Sequence, residues 1–119
     1  MKKITFLVCL IGLLISCKKY SESVAGRYLG EMSRNDTLIG NNTILDIIEV
    51  DKKRVSIECL YFDSYQIDIE RRRYFGSVTY FDNGDTSTEL EIGETSSGLF
   101  LALVYNDSIN RYAFIGERN

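Results

Sequence analysis

Past residue 42 the chain repeats one pattern. Apolar and polar residues alternate in bursts of six to nine, and short polar stretches separate the bursts. Val55, Ile57 and Cys59 alternate with Arg54, Ser56 and Glu58; Tyr65, Ile67 and Ile69 with Gln66, Asp68 and Glu70; Leu90 and Ile92 with Glu89 and Glu91. A period of two sends successive side chains to opposite faces, so each burst reads as a strand with one buried side. The breaks carry turn residues: Asp51-Lys52-Lys53, Phe62-Asp63-Ser64, Asp82-Asn83-Gly84-Asp85 and Asn106-Asp107-Ser108. Asn-Gly is the sharpest of these, because both residues tolerate the positive φ that a two-residue hairpin turn needs.

The pattern predicts strands at residues 26–33, 43–50, 54–61, 65–70, 73–81, 86–92, 99–105 and 109–116. Arg71 and Arg72 lead into the fifth. Residues 34–42 read as a loop, with Leu38 and Ile39 folding back over the domain, and residues 93–98 as a turn. After Cys17 no segment has a helical period. The expectation is an all-β fold, a small antiparallel meander of about eight strands closed into a barrel, since closure removes both exposed edges. A barrel of about eight strands holds either packed side chains or room for one small ligand.

The start of the chain is different in kind. Met1-Lys2-Lys3 is cationic, residues 4–15 are apolar except for Thr5 and Gly12, and Ser16 precedes Cys17. That is signal-peptide architecture, and the run is too short for the roughly 20 residues a spanning helix needs. Leu14-Ile15-Ser16-Cys17 resembles a bacterial lipobox. The resemblance implies cleavage between Ser16 and Cys17 and a lipid, palmitate among its acyl chains, on Cys17. The expected organisation is a signal peptide over 1–16, a lipidated polar tether over 17–24 and the barrel over 25–119. Lys18-Lys19 after the cysteine is similar to the start of many Bacteroidetes lipoproteins, where Lys followed by acidic residues can signal surface export; here Glu22 comes later.

Without residues 1–16, twelve basic and seventeen acidic residues remain, a formal charge of −5. Nucleic acid wants a basic stripe, so it is not an expected partner. There is no His, which removes the usual general base and the usual zinc ligand, and no Trp or Pro. Cys59 is left without a disulfide partner and reads as a small buried hydrophobe. Glu89 and Glu91 stand about 7 Å apart on one strand face, a spacing paired-carboxylate hydrolysis can use, but they read as a solvated wall opposite Leu90 and Ile92. Asp82-Asn83-Gly84-Asp85 reads as a turn, since it lacks the spaced ligands of a calcium loop. No enzyme activity, cofactor or metal is expected. Arg71-Arg72-Arg73 is the one basic cluster, either a solvated loop guarding an edge or a seat for an acidic partner or lipid headgroup. Tyrosines are plentiful, and Tyr serves both cores and binding surfaces.

Ala25-Gly26-Arg27-Tyr28-Leu29-Gly30 and Phe114-Ile115-Gly116-Glu117-Arg118 resemble the first and last strands of the calycin-like and lipocalin-like small lipoproteins of Bacteroidetes. That resemblance implies a calycin-like barrel in the cell envelope, lipid-anchored to the outer membrane, on either its periplasmic or its surface side. It also implies that Tyr28 takes the place of a first-strand Trp packed beneath Arg118. Asp36-Thr37-Leu38 and Asp107-Ser108-Ile109 are similar to an O-glycosylation motif of Bacteroidetes envelope proteins, which would place glycans on Thr37 and Ser108. Two functions follow. One is a binding module with a small apolar molecule in a cavity lined by residues such as Tyr65, Ile67, Leu101 and Leu103. The other is a protein-interaction or inhibitor domain with a filled barrel acting through its loops.

Overall fold

The computed structural model describes residues 20–74, 77–84, 87–96 and 98–118. The predicted cleavage site at Ser16 and the predicted lipid attachment at Cys17 lie outside the described residues. A five-residue helix, α1 (Tyr20–Val24), leads into eight strands: β1 (Gly26–Arg34), β2 (Thr37–Asp51), β3 (Arg54–Cys59), β4 (Phe62–Tyr74), β5 (Ser77–Asp82), β6 (Thr88–Thr95), β7 (Gly98–Asn106) and β8 (Arg111–Arg118). Every strand pairs antiparallel with its sequence neighbours, and β1 pairs with β8 from Leu29 opposite Glu117 to Arg34 opposite Tyr112. The expected closed antiparallel meander is therefore the observed fold.

Alternation does the folding work. On β6 the buried residues are Thr88, Leu90 and Ile92, and on β7 Leu99, Leu101 and Leu103; the residues between them face outward. The inward side chains form one continuous cluster from Val24 at one end to Tyr112 at the other. Two glycines make closure feasible. A Cβ on Gly30 would collide with the backbone carbonyl of Ile115 on the strand that seals the barrel. Gly26 sits at φ +145°, and a Cβ there would meet Arg118 Cδ at 2.6 Å.

Several boundaries differ from those the pattern predicts. The stretch 34–42 is not a loop. Asn35 and Asp36 adopt φ 49° and 67° and turn the chain in two residues, after which β2 begins at Thr37 and runs for 15 residues. Asn and Asp visit the left-handed region more readily than other residues with a Cβ, so the pair makes the tight turn that a Gly-centred search overlooks. Register shifts between Gly30 and Met32 and between Met32 and Ser33 mark bulges in this upper part of the β1–β2 pair, which blur the alternation there.

Phe62 to Ser64 do not break the chain either. The turn is at Leu60 and Tyr61, and β4 continues without interruption through Arg71-Arg72-Arg73. Gly93 lies inside β6, and β8 starts at Arg111 rather than at 109. The stretch 20–24 is folded, with Ser21 and Val24 fully buried, so any free tether ends before Tyr20.

A meander sends its turns alternately to two ends. The base carries α1, the Lys52-Lys53 turn and the end of β8. The far end carries the Asn35-Asp36 turn, the Leu60-Tyr61 turn and the Asp107–Asn110 turn.

Candidate functional site

At the base, α1 plugs the barrel. The Ser21 amide donates to Lys52 O at 3.1 Å, and the Ala25 amide donates to Ser21 O at 2.9 Å. The fully buried Tyr28 hydroxyl donates to Val24 O at 2.7 Å. Arg118 Nη1 donates to Ser23 O at 3.2 Å and to Ala25 O at 2.6 Å. Tyr28 and Arg118, singled out from the first and last strands, thus converge on the same helix and satisfy carbonyls that its single turn leaves without amides. Burial pushes the Tyr28 phenol up to about 12, against a small opposing pull from Arg118.

Through its middle the barrel is filled. Ile67, Leu101 and Leu103, named above as walls of a cavity, are each no more than 3% exposed. A space wide enough for a ligand would leave its lining accessible, so this part of the interior is core.

The far end is closed differently, by rings. Phe62 of β4 reaches across to Tyr105 of β7, with ring centroids 4.8 Å apart, and to Tyr112 of β8 at 5.3 Å. Tyr65 stacks on Tyr105 at 4.3 Å. Offset and tilted pairs at such distances are favourable aromatic geometries. Phe62, Tyr65 and Tyr105 are only half-buried, so this floor is reachable from outside.

At the same end three apolar residues stand out in solvent, Leu60 and Ile109 on turns and Leu38 as the second residue of β2. Leu60 is 90% exposed, Ile109 84% and Leu38 51%. The Ile109 turn is fixed. Asp107 Oδ1 accepts the amides of Ile109 at 2.7 Å and Asn110 at 2.5 Å, and these two donors hold its carboxyl below the usual range, Asn110 the more strongly. Asn35 then ties the neighbouring turn to this one, donating from Nδ2 to Asn110 Oδ1 at 2.9 Å and accepting the Arg111 amide at 2.9 Å. Exposed apolar residues are ordinary, and Leu29, Ile44, Ile48, Val50 and Ile115 are exposed along the strands; the two most exposed, Leu60 and Ile109, are both at this end.

Beside Leu60 a groove of about 320 Å³ opens along the bulged part of β2, lined by Gly40, Asn42, Thr43, Ile44, Leu60 and Tyr61. Tyr61 donates its hydroxyl to Ile39 O at 3.3 Å. The Thr43 hydroxyl, buried at the groove wall, has no hydrogen-bond partner.

Family models, curated proteins and solved structures were compared with the chain, and none of them matches it.

The other residues singled out fall elsewhere. Glu89 and Glu91 face solvent on the outer wall, opposite the buried Leu90 and Ile92. Cys59 packs against the core but is half-exposed rather than buried, and burial still pushes its thiol up. Asp82 Oδ1 accepts the Leu90 amide at 2.9 Å, which gives the first residue of the Asp82-Asn83-Gly84 stretch a structural task; Asp85 lies outside the described residues. Thr37 and Ser108 are both exposed at the far end, Thr37 as the first residue of β2. Alternation could not single out Leu60 or Ile109, because the pattern includes them in the predicted strands 54–61 and 109–116, whereas the structure puts each in a turn.

Proposed function

We propose that the protein is an envelope lipoprotein, lipidated on Cys17, whose barrel is a binding module that engages a protein partner through its far end. The observation that carries this is the pairing of a filled interior with Leu38, Leu60 and Ile109 exposed at the end that aromatic rings close. Convex apolar tips on fixed turns suit insertion into a partner's groove, with little entropy lost on docking. The resemblance to calycin-like and lipocalin-like lipoproteins supports the anchor and the barrel, and the meeting of Tyr28 and Arg118 at α1 agrees with it. The anchor precedes α1, so it lies at the opposite end from the tips and leaves them directed away from the membrane. Outer-membrane attachment accords with the same resemblance.

A photo-crosslinking residue in place of Leu60 or Ile109, installed in the living host, tests the partner. The expected result is one discrete protein adduct, absent when the same residue replaces Glu89 on the outer wall. Equal adducts from all three positions would overturn the reading. Replacing Cys17 by Ala should abolish acyl labelling, and persistent labelling would remove the anchor. A glycan on Ser108 would stand beside Ile109 and obstruct this surface, so glycan occupancy and docking should exclude one another.

The groove beside Leu60 favours a second reading, a small, mostly apolar molecule with one polar group. Its volume lies at the lower end of ligand sites, and the unpartnered Thr43 hydroxyl offers the polar contact. Native mass spectrometry of residues 18–119 after incubation with a host lipid and metabolite extract tests it. A reproducible added mass that Thr43→Val removes supports a small ligand; a bare domain leaves the protein-partner reading alone.

A further inference from the structure

Arg71-Arg72-Arg73 plays no part in that reading, and the fold gives it a setting the sequence does not reveal. These residues close β4, and β4 ends at the base. The Ile69 amide donates to Lys53 O at 2.7 Å, so the Lys52-Lys53 turn sits one step from the arginine run. Arg71 lies two residues beyond Ile69, about 7 Å along the strand. Lys52, Lys53, Arg71, Arg72 and Arg73 are all exposed at this side of the base; Arg71 and Arg73 share one face of β4, and Arg72 on the other lies over the Phe81 ring at 5.2 Å. The acidic groups near this basic sector include Asp51, whose carboxylate accepts the Lys52 amide, Glu70, ion-paired with Arg72, Asp68, ion-paired with Arg54, and, on α1, Glu22. Across the base, Glu94 and Glu117 lie on β6 and β8 beside Arg118, and Arg27 at the start of β1 is ion-paired with Asp46, so the densest run of positive charge at the base is on this one side.

The sector is also where the chain arrives from Cys17. The Ser21 amide binds Lys52 O, which places the start of α1 against this turn. Three residue steps separate Cys17 from Tyr20, a reach of at most about 11 Å. That is close to the Debye length of about 8 Å at physiological ionic strength. A lipid on Cys17 would therefore let the sector approach headgroup charge, and Lys18 and Lys19 fall between Cys17 and Tyr20 in the sequence.

We propose that Lys52, Lys53, Arg71, Arg72 and Arg73 form a docking face for an anionic bilayer surface, which seats the barrel base-down and fixes the far end outward. The inference rests on the anchor reading for its geometry. The net charge of −5 past residue 16 favours this orientation, since a bilayer of like sign repels the acidic remainder of the barrel and attracts this cluster of five basic residues.

The test uses the protein as its host processes it, mixed with vesicles of phosphatidylcholine alone or with phosphatidylglycerol added. Flotation reads the anchor, and acetylation of Lys52 and Lys53 by an amine reagent, followed by mass spectrometry, reads the face. On anionic vesicles the labelling of both lysines should fall several-fold relative to neutral vesicles and recover in about 0.5 M salt. The R71E/R73E variant changes exposed side chains outside the core and should lose that protection while melting normally. Equal labelling on the two vesicle types, or full protection in the variant, overturns the proposal. Failure to float with neutral vesicles would instead remove the anchor, and labelling on anionic vesicles would still decide the face.

Discussion

The two ends of the barrel close by different means. At the base the seal is polar and built from the chain itself: Tyr28 and Arg118 donate to successive carbonyls around α1, and Val24 is fully buried. At the far end the seal is a layer of rings with exposed edges, and the turns around it hold apolar side chains in water. One meander makes both ends, so the contrast comes from side chains and not from topology. The base buries its seal, while the far end leaves apolar side chains on turns that the chain itself fixes, a surface that costs free energy in water and gains it on contact.

The contrast breaks first at Tyr28. Tyr28→Ala should cost about 3–5 kcal/mol, since it empties a fully buried site and strands the Val24 carbonyl. Urea denaturation at an unchanged m value reads this loss. The phenol also sets an alkaline limit. Its folded-state pKa is raised to about 12 from 10, so its contribution is complete below pH 10 and disappears as pH climbs through 12. Tyr28→Phe should lose that dependence, which an alkaline unfolding series would show.

Arg118→Ala comes next. It leaves the Ser23 and Ala25 carbonyls without their donor and should cost about 1–3 kcal/mol. Hydrogen exchange should quicken at Ala25 while the amides of β7 stay protected; uniform loss of protection would mean that the base is not a separable seal. At the far end Phe62→Leu keeps apolar bulk and removes the ring contacts to Tyr105 and Tyr112. It should cost about 1 kcal/mol, visibly less than the base variants.

Much of this architecture is legible in the residues. Alternation in β3 and β6 is clean because each has one face on the core and one in water, β7 reads as a strand by its nearly continuous apolar run, and the barrel follows from the number of strands and their short links. The base was legible only through the family resemblance, which implies that Tyr28 of the first strand packs against Arg118 of the last. The far end was not. Asn35-Asp36 turns the chain without a glycine, and the bulges that follow scramble the period in β2, so its first residues read as a loop. The rings meet across the barrel from β4, β7 and β8, a closeness that strand order along the sequence does not convey. Leu60 and Ile109 look like the ends of predicted strands, and only the true position of each turn shows that they point into solvent.

Smaller effects sharpen the comparison. The double change Leu60→Ser and Ile109→Ser removes the two most exposed tips and should alter stability by no more than about 0.5 kcal/mol. The same variant should lose the far-end crosslink. A large stability loss would mean that the tips pack in the free protein and are not held in reserve for a partner.

The finest probe is Asp107, which holds the Ile109 turn without any burial. Two amide donors depress its carboxyl, so the contribution of the charged form is present above the unfolded value of 3.8 and fades as pH falls through the lower folded value. The group is solvent-exposed, and the effect should be local rather than global. Amide exchange at Ile109 and Asn110 should quicken relative to the β7 amides as the solution is acidified below pH 4, after correction for the intrinsic pH dependence of exchange. Asp107→Asn should loosen the turn at neutral pH and flatten that response, because a neutral amide oxygen accepts both amides more weakly than a carboxylate does. If Ile109 stays protected in the variant, the turn is held by Asn35 and its bonds to Asn110 and Arg111 instead. The rigidity of the tip would then belong to the pair of turns and not to one carboxylate.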